Sequence, residues 1–209
     1  MRRIAVVIGL WALLVPMAAW ASGIDLTNQF GTVTFTNAGL VSNGSELMSF
    51  GGITAPAGHD LGSVSFSTGA FSGASIWSGG TFSATGSSFD VIGIGPWAKK
   101  LAGATKNPVA LFTGSFVGPI TWTVVSHVHD NYIFTLSGAI WGELYNGRNV
   151  SGTTTQTIYA FTDQEPFDHK GGIRLGKSNL AVPEPGTLGL LGTGLIAIAG
   201  TVRRKLFRS

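Results

Sequence analysis

Two neighbouring stretches, Ile120-Thr121-Trp122-Thr123-Val124 and Tyr132-Ile133-Phe134-Thr135-Leu136, carry a large apolar residue at every second position. Alternation with a period of two puts successive side chains on opposite faces of a β-strand, so both stretches are predicted to be half-buried strands. Asp130-Asn131 lies between them and favours a turn. The pair therefore predicts an antiparallel hairpin with Trp122 on a core-facing side.

The same alternation recurs along the chain, and no segment has the apolar period of an amphipathic helix. Asn146-Gly147 separates two further runs and predicts a hairpin with a type I′ turn. The predicted fold class is therefore all-β, an antiparallel meander that closes as a sandwich or a barrel. The apolar members of the other alternating runs are Val33 and Phe35, Val64 and Phe66, and Ile158 and Ala160.

Two regions are predicted to lie outside the regular strands. Residues 95–108 combine Gly, Pro and three lysines and are predicted to be a long exposed loop. Residues 163–181 hold most of the late charges and are predicted to be an irregular segment or a short edge strand.

The two ends of the chain predict export. Residues 1–21 join Met1-Arg2-Arg3 to an apolar run and end in Ala19-Trp20-Ala21, which predicts a signal peptide cleaved before Ser22. Residues 182–209 hold Pro183-Glu184-Pro185, an apolar helix over residues 187–202 and a basic tail over residues 203–209. That helix spans ~24 Å against a bilayer core of ~30 Å, so a processable membrane segment is favoured over a permanent anchor. Residues 22–181 remain as the extracellular domain.

The C-terminal segment resembles the PEP-CTERM sorting signal of bacterial surface proteins. The resemblance rests on the order of three features: the Pro-Glu-Pro tripeptide, the apolar helix and the basic tail. The resemblance implies recognition and processing at the tripeptide by exosortase, a membrane-embedded cysteine protease, after transport by the export machinery. It implies transient residence in the inner membrane through the run from Leu188 to Val202, then delivery to the cell surface or extracellular matrix. The residues that carry the resemblance are Val182, Pro183, Glu184 and Pro185 in the sorting motif and Arg203, Arg204, Lys205 and Arg208 in the basic stop.

Charge and cysteine content exclude several classes of function. The sequence pI is about 9.5, but six of the 13 basic residues lie in the two terminal segments. Residues 22–181 hold seven basic residues against nine acidic ones, so nothing favours a nucleic-acid partner. Because the chain has no cysteine, thiol catalysis and cysteine-ligated zinc are excluded.

Two groups of residues are candidates for binding. His127 and His129 would share one face of a strand and could ligate a metal ion, with exposed strand-end histidines as the alternative. Trp97 lies between Pro96 and two lysines in the predicted loop, where an exposed indole is a candidate contact for a sugar ring.

Signals for catalysis are weak. Residues 171–178 match the spacing of a phosphate-binding loop, which must be followed by a helix. Pro183 comes only five positions after the end of this pattern, so there is no room for that helix. His59-Asp60 and Asp168-His169 could supply the histidine and aspartate of a serine hydrolase. The sequence, however, has no Gly-x-Ser-x-Gly motif, which holds the nucleophile of such enzymes in a strand-turn-helix setting. We therefore predict a non-enzymatic surface or matrix protein without a cofactor, in a structural or adhesive role. The alternatives are an exopolysaccharide-binding module and a metal-dependent hydrolase.

Overall fold

A computed structural model of the chain describes residues 23–36, 38–129, 131–161 and 170–181. They form eleven β-strands, one α-helix and a 3₁₀ turn at Ile76–Ser78. The strands are β1 (Gly23–Thr36), β2 (Gly39–Phe50), β3 (Ile53–Thr54), β4 (Gly62–Ser67), β5 (Phe71–Ser75), β6 (Gly79–Phe82), β7 (Ser88–Gly93), β8 (Val109–Val128), β9 (Asn131–Leu144), β10 (Asn149–Phe161) and β11 (Lys170–Ala181), and helix α1 is Gly95–Ala102.

Eight antiparallel strands close into a barrel in the order β1-β2-β4-β7-β8-β9-β10-β11, with β11 returning to β1. Strands that follow one another around this ring also follow one another along the chain, apart from short insertions, which confirms the predicted meander. Closure selects the barrel over the sandwich, and it leaves the eight strands without a free sheet edge. Strand β3 pairs with β2, and the β5–β6 hairpin extends the sheet beside the second half of β8.

Strand β11 corrects the prediction for the end of the domain. Rather than an irregular segment or edge strand, Lys170–Ala181 is a full strand that pairs with β1 on one side and β10 on the other. The first part of the predicted segment, residues 163–169, lies outside the described residues. Its inward positions include Gly171, Gly176 and Ser178, which are small, and its outward positions include Arg174 and Lys177, which are exposed. Ile173 and Leu180 also face inward, but the small residues on the same face interrupt the apolar alternation by which a strand is recognised from sequence.

Helix α1 corrects the first part of the exposed loop predicted at residues 95–108, whereas residues 103–108 lie in no helix or strand and are mostly exposed. Pro96 lies in the first helical turn, where its missing N–H is not needed. Gly103 ends the helix in the left-handed region with φ of 61°, and its N–H bonds to the Lys99 carbonyl. Ala98 is fully buried against the barrel. Eight residues show too little of a 3.6-residue period to reveal a helix by pattern alone.

The turns lie where the sequence predicts them, although one differs in type. Strands β9 and β10 join through Tyr145-Asn146-Gly147, with Leu144 and Arg148 hydrogen-bonded at the base. In this turn the positive φ, 76°, is at Gly147, so the connection is a three-residue loop rather than the predicted type I′ turn. Strands β8 and β9 pair up to Val128 and Asn131, so the chain reverses between these two residues and Asn131 already belongs to β9.

Aromatic rings fill one part of the barrel interior. The Trp122 side chain is 1% exposed and stacks on Phe134 at 4.3 Å between ring centroids. Phe35 and Phe82 meet Trp122 edge to face, and its indole Nε1 donates to the Ile76 carbonyl at 2.7 Å. The predicted core position of Trp122 is thus confirmed. The alternating residues Val33, Phe35, Val64, Phe66, Ile158 and Ala160 are also buried.

A polar cluster fills another part of the interior. Asn28 and Gln156 exchange amide hydrogen bonds across β11, at 3.0 Å and 3.3 Å. Asn28 also donates to Ser45 Oγ, and Gln156 donates to Thr154 Oγ1. Both amides are fully buried and have lost their hydrogen bonds to water. The bonds between them offset this desolvation cost, and without its partner either amide would be left unsatisfied.

A carboxylate on the barrel wall makes stability depend on pH. Burial raises the pKa of the Asp90 carboxyl above its ordinary 3.8, and a side-chain hydrogen bond with Thr113 opposes the shift. The folded state therefore holds this proton more tightly than the unfolded chain. The stability that it contributes is fully present below pH 3.8 and is lost as the pH rises through the raised pKa.

We expect Asp90→Asn to be more stable than the wild type at neutral pH and equally stable near pH ~3, where Asp90 is protonated in both states. Urea unfolding followed from pH 3 to 7 measures this difference. A free-energy difference that stays constant across that range would contradict the assigned shift.

Candidate functional site

An open groove of about 510 Å³ lies on the outer surface where β8, β9, β10 and β11 run side by side. Trp141 and Val117 are its large apolar side chains, and both are about half exposed. Ala139, Ser151 and Thr153 add small side chains to its lining. The groove is therefore an aromatic and aliphatic surface with hydroxyl groups, and none of the described residues that line it has an ionisable side chain.

Trp141 faces outward because of the alternation along β9. Ile140 and Leu144 are buried in the barrel, so Trp141 between them must point to the outside. Its side chain is 51% exposed, whereas Trp122 is buried and Trp77 and Trp97 are half-buried. Among the four tryptophans that the structure describes, Trp141 is the one that presents its ring to solvent.

An amide closes the groove at the β11 side. Asn179 lies in register with Thr153 and Asp25, and its Nδ2 donates to Asp25 Oδ1 at 2.6 Å. This bond to a carboxylate orients the amide at the edge of the groove. The groove thus combines one indole, two hydroxyls and one oriented amide.

Rows of hydroxyl groups continue from the groove along the same strands. Cross-strand register aligns Thr121, Ser137 and Thr155 in one row, and the Ser137 and Thr155 hydroxyl oxygens are 3.3 Å apart. The next row consists of Thr123, Thr135 and Thr157. Neighbouring strands lie ~4.8 Å apart, so each row offers hydroxyls at that spacing.

The structure places Trp97 differently from the sequence prediction. Trp97 lies in α1 and is half-buried, with its ring 6.5 Å from that of Phe50 between centroids. Its Nε1 is shielded from solvent and has no hydrogen-bond partner within the part of the chain that the structure describes. The premise of an exposed loop indole is therefore wrong, and sugar contact at Trp97 stays a prediction.

The two candidate metal ligands are not held on one strand face. His127 lies near the end of β8 and stacks on Tyr132 at 3.9 Å between centroids. His129 lies beyond the strand in the turn, with φ of 55°, so strand alternation does not extend to it. Within residues 23–36, 38–129, 131–161 and 170–181, no three His, Cys, Asp or Glu side chains gather to hold a metal ion. Metal binding by the pair stays a prediction, since Asp130, Asp168 and His169 lie outside the described residues.

The phosphate-loop spacing at residues 171–178 lies within β11. Gly176 has a structural role in the barrel, because the absence of a side chain there leaves space for the Asn28 and Gln156 amides. A continuous strand has no loop in which amides could surround a phosphate.

Comparison with protein families identifies the C-terminal segment. The model described as the PEP-CTERM protein-sorting motif matches residues 181–205. The chain carries a PEP-CTERM sorting motif. The motif indicates export through exosortase-type sorting, with association to a membrane during that process. Comparison with curated proteins and with solved structures gave no significant match.

The PEP-CTERM motif begins at the last residue of the barrel. Ala181 pairs with Gly23 of β1 and with Ser151 of β10. The sorting residues Val182, Pro183, Glu184 and Pro185, the apolar run and the basic stop at Arg203, Arg204, Lys205 and Arg208 lie outside the described residues, as does the predicted signal peptide. Among the residues that the structure does describe, no helix is long and apolar enough to cross a membrane.

Trp141 is not among the binding residues that the sequence predicts. The sequence does carry a sign of its exposure in the run Ile140-Trp141-Gly142-Glu143-Leu144. Trp141 and Glu143 are two residues apart, so on a strand Trp141 lies on the same face as a charged residue. What the sequence does not show is that Val117, Thr153 and Asn179 lie on neighbouring strands beside it. Those contacts depend on the strand register.

Proposed function

We propose that the protein is exported as a precursor, held in the inner membrane by the run from Leu188 to Val202 and processed by exosortase within residues 182–186. The mature product is a non-catalytic β-barrel at the cell surface or in the extracellular matrix, where it has a structural or adhesive role. The family match over residues 181–205 is the observation that carries this proposal.

The register of the barrel supports processing at both ends. Gly23 pairs with Ala181, and this pair is the outermost one between β1 and β11. Cleavage before Ser22 and cleavage after Ala181 would both fall just outside it. Removal of the two terminal segments would therefore leave intact every strand pairing of the described residues.

The filled interior supports a non-catalytic role for the barrel. Aromatic side chains around Trp122 and the hydrogen-bonded amides of Asn28 and Gln156 occupy the inside. These residues stabilise the fold, which leaves the outer surface for contacts with other molecules.

Substituting both motif prolines tests the sorting step. We expect Pro183→Ala combined with Pro185→Ala to accumulate full-length precursor in the membrane fraction, because the stiff extended tripeptide is lost. Immunoblots of membrane and medium fractions from a strain that has exosortase measure the change. Normal processing of the double variant would contradict recognition at the tripeptide.

Pro56→Ala is the matched control. Pro56 is an exposed proline in the loop between β3 and β4, far along the chain from the sorting motif. We expect its processing to match the wild type, so a defect in this variant would point to general damage of the exported barrel.

A further inference from the structure

We propose that the groove at Trp141 binds a neutral polysaccharide, with the indole as a platform for one sugar ring and the hydroxyl rows as contacts for the rings beside it. This inference names the partner of the exported barrel and so deepens the function proposed above. The residues that form the core of the site are Val117, Trp141, Ser151, Thr153 and Asn179.

The exposed indole is the first argument. Trp141 is 51% exposed and keeps a large apolar face in water, whereas Trp122 is buried and Trp77 and Trp97 are half-buried. The pyranose ring has an apolar face of C–H groups bordered by hydroxyls. Stacking that face on Trp141 would remove apolar surface from water and leave the sugar hydroxyls free to bond at the ring edge.

The groups around the indole match those hydroxyls. Ser151 and Thr153 can each donate and accept hydrogen bonds, as a sugar hydroxyl does. Asn179 is oriented by its bond to Asp25, which reduces the entropy cost of using its amide for binding. A few convergent polar groups on an apolar surface are the usual make-up of a small-molecule site.

The rows of hydroxyls favour a chain over a single sugar. Ser137 lies four residues before Trp141 on β9, and Thr135 lies six residues before it. At ~3.4 Å per residue, the hydroxyl surface extends ~20 Å from the indole. A linked chain of sugars lying along the strands would reach both rows, whereas a monosaccharide would contact the groove alone.

Charge complementarity selects a neutral chain. Among the described residues no ionisable side chain lines the groove, and the charged residues at the register positions beside it are of both signs: Asp25, Glu143 and Lys177. An anionic uronate placed on Trp141 would lose water without gaining a cation in return. An uncharged sugar carries no such cost.

The test uses the purified full-length protein in detergent, run by native affinity electrophoresis in gels that contain hydroxyethylcellulose, laminarin, dextran or alginate. We expect at least one of the three neutral glucans to retard the wild type. We expect Trp141→Ala to weaken the retention at least about tenfold, from the loss of a buried aromatic contact. Protection of Trp141 fluorescence from acrylamide by the same glucan is a second readout.

Val125→Ala is the matched control, since Val125 is 62% exposed on β8 but does not line the groove. It should bind as the wild type does. If Trp141→Ala folds poorly, Thr153→Arg tests the same groove by filling it with a charged side chain, and it should also abolish retention.

Four results would overturn the proposal: no retention by any of the three neutral glucans, retention by alginate alone, retention that Trp141→Ala leaves unchanged, or concentration-dependent self-association that Trp141→Ala abolishes. The last would assign the groove to a second copy of the chain. The binding assay does not depend on processing of the tail. A negative binding result would therefore not contradict the sorting proposal, and a positive one would not support it.

Discussion

Replacing Gly176 by alanine is expected to destabilise the barrel by ~3 kcal/mol or more, the combined cost of overpacking and of broken buried hydrogen bonds. A Cβ at this position would collide with Asn28 Oδ1 and Gln156 Oε1, which meet over the glycine. The two amides would have to separate, and each would lose a partner inside the barrel. For a domain of this size ~3 kcal/mol corresponds to a melting temperature lower by ~6–12 °C, which thermal unfolding by circular dichroism measures.

Gly172→Ala is the matched control on the same strand. A Cβ there would meet Tyr159 Cδ2 at 3.6 Å, an ordinary van der Waals contact. We expect a change within ~0.5 kcal/mol, as for most surface substitutions. Equal melting temperatures for the Gly176 and Gly172 variants would show that the amide pair does not need the open space above Gly176.

Trp122→Ala is expected to cost ~3–5 kcal/mol, the usual range for truncating a buried large aromatic residue. The substitution removes the stack on Phe134 and the edge contacts with Phe35 and Phe82, and it leaves the Ile76 carbonyl without its indole donor. Urea unfolding of the variant and the wild type measures the loss.

Trp141→Ala provides the comparison, because it removes the same side chain from the outer surface of the barrel. We expect its free energy of unfolding to stay within ~0.5 kcal/mol of the wild type. If both tryptophan variants lost the same stability, the assignment of Trp122 to the interior and Trp141 to the exterior would be contradicted.

Alternation in the sequence predicted the strands with a regular apolar face, such as those of Trp122 and Phe134, and the turns between them. It did not predict β11, because Gly171, Gly176 and Ser178 interrupt the interior apolar face to which Ile173 and Leu180 belong. Helix α1 was missed because eight residues are too few to display a helical period.

The polar interior and the groove depend on contacts between distant parts of the chain. Asn28 and Gln156 are 128 residues apart in sequence, and nothing in their local surroundings marks them as partners. Trp141 and Asn179 likewise line one groove only because β9, β10 and β11 run side by side in the closed barrel. The sorting motif is the opposite case, since its three parts are adjacent along the chain and recognisable without a fold.

Intact-mass measurement of the protein recovered from the envelope and the medium tests the sorting proposal most directly. In a strain that has exosortase, we expect a mature species that begins at Ser22 and ends within residues 182–186. Such a species would contain every paired residue of the barrel from Gly23 to Ala181. A protein that still ends at Ser209 in the membrane fraction of that strain would contradict processing and show an ordinary membrane anchor instead.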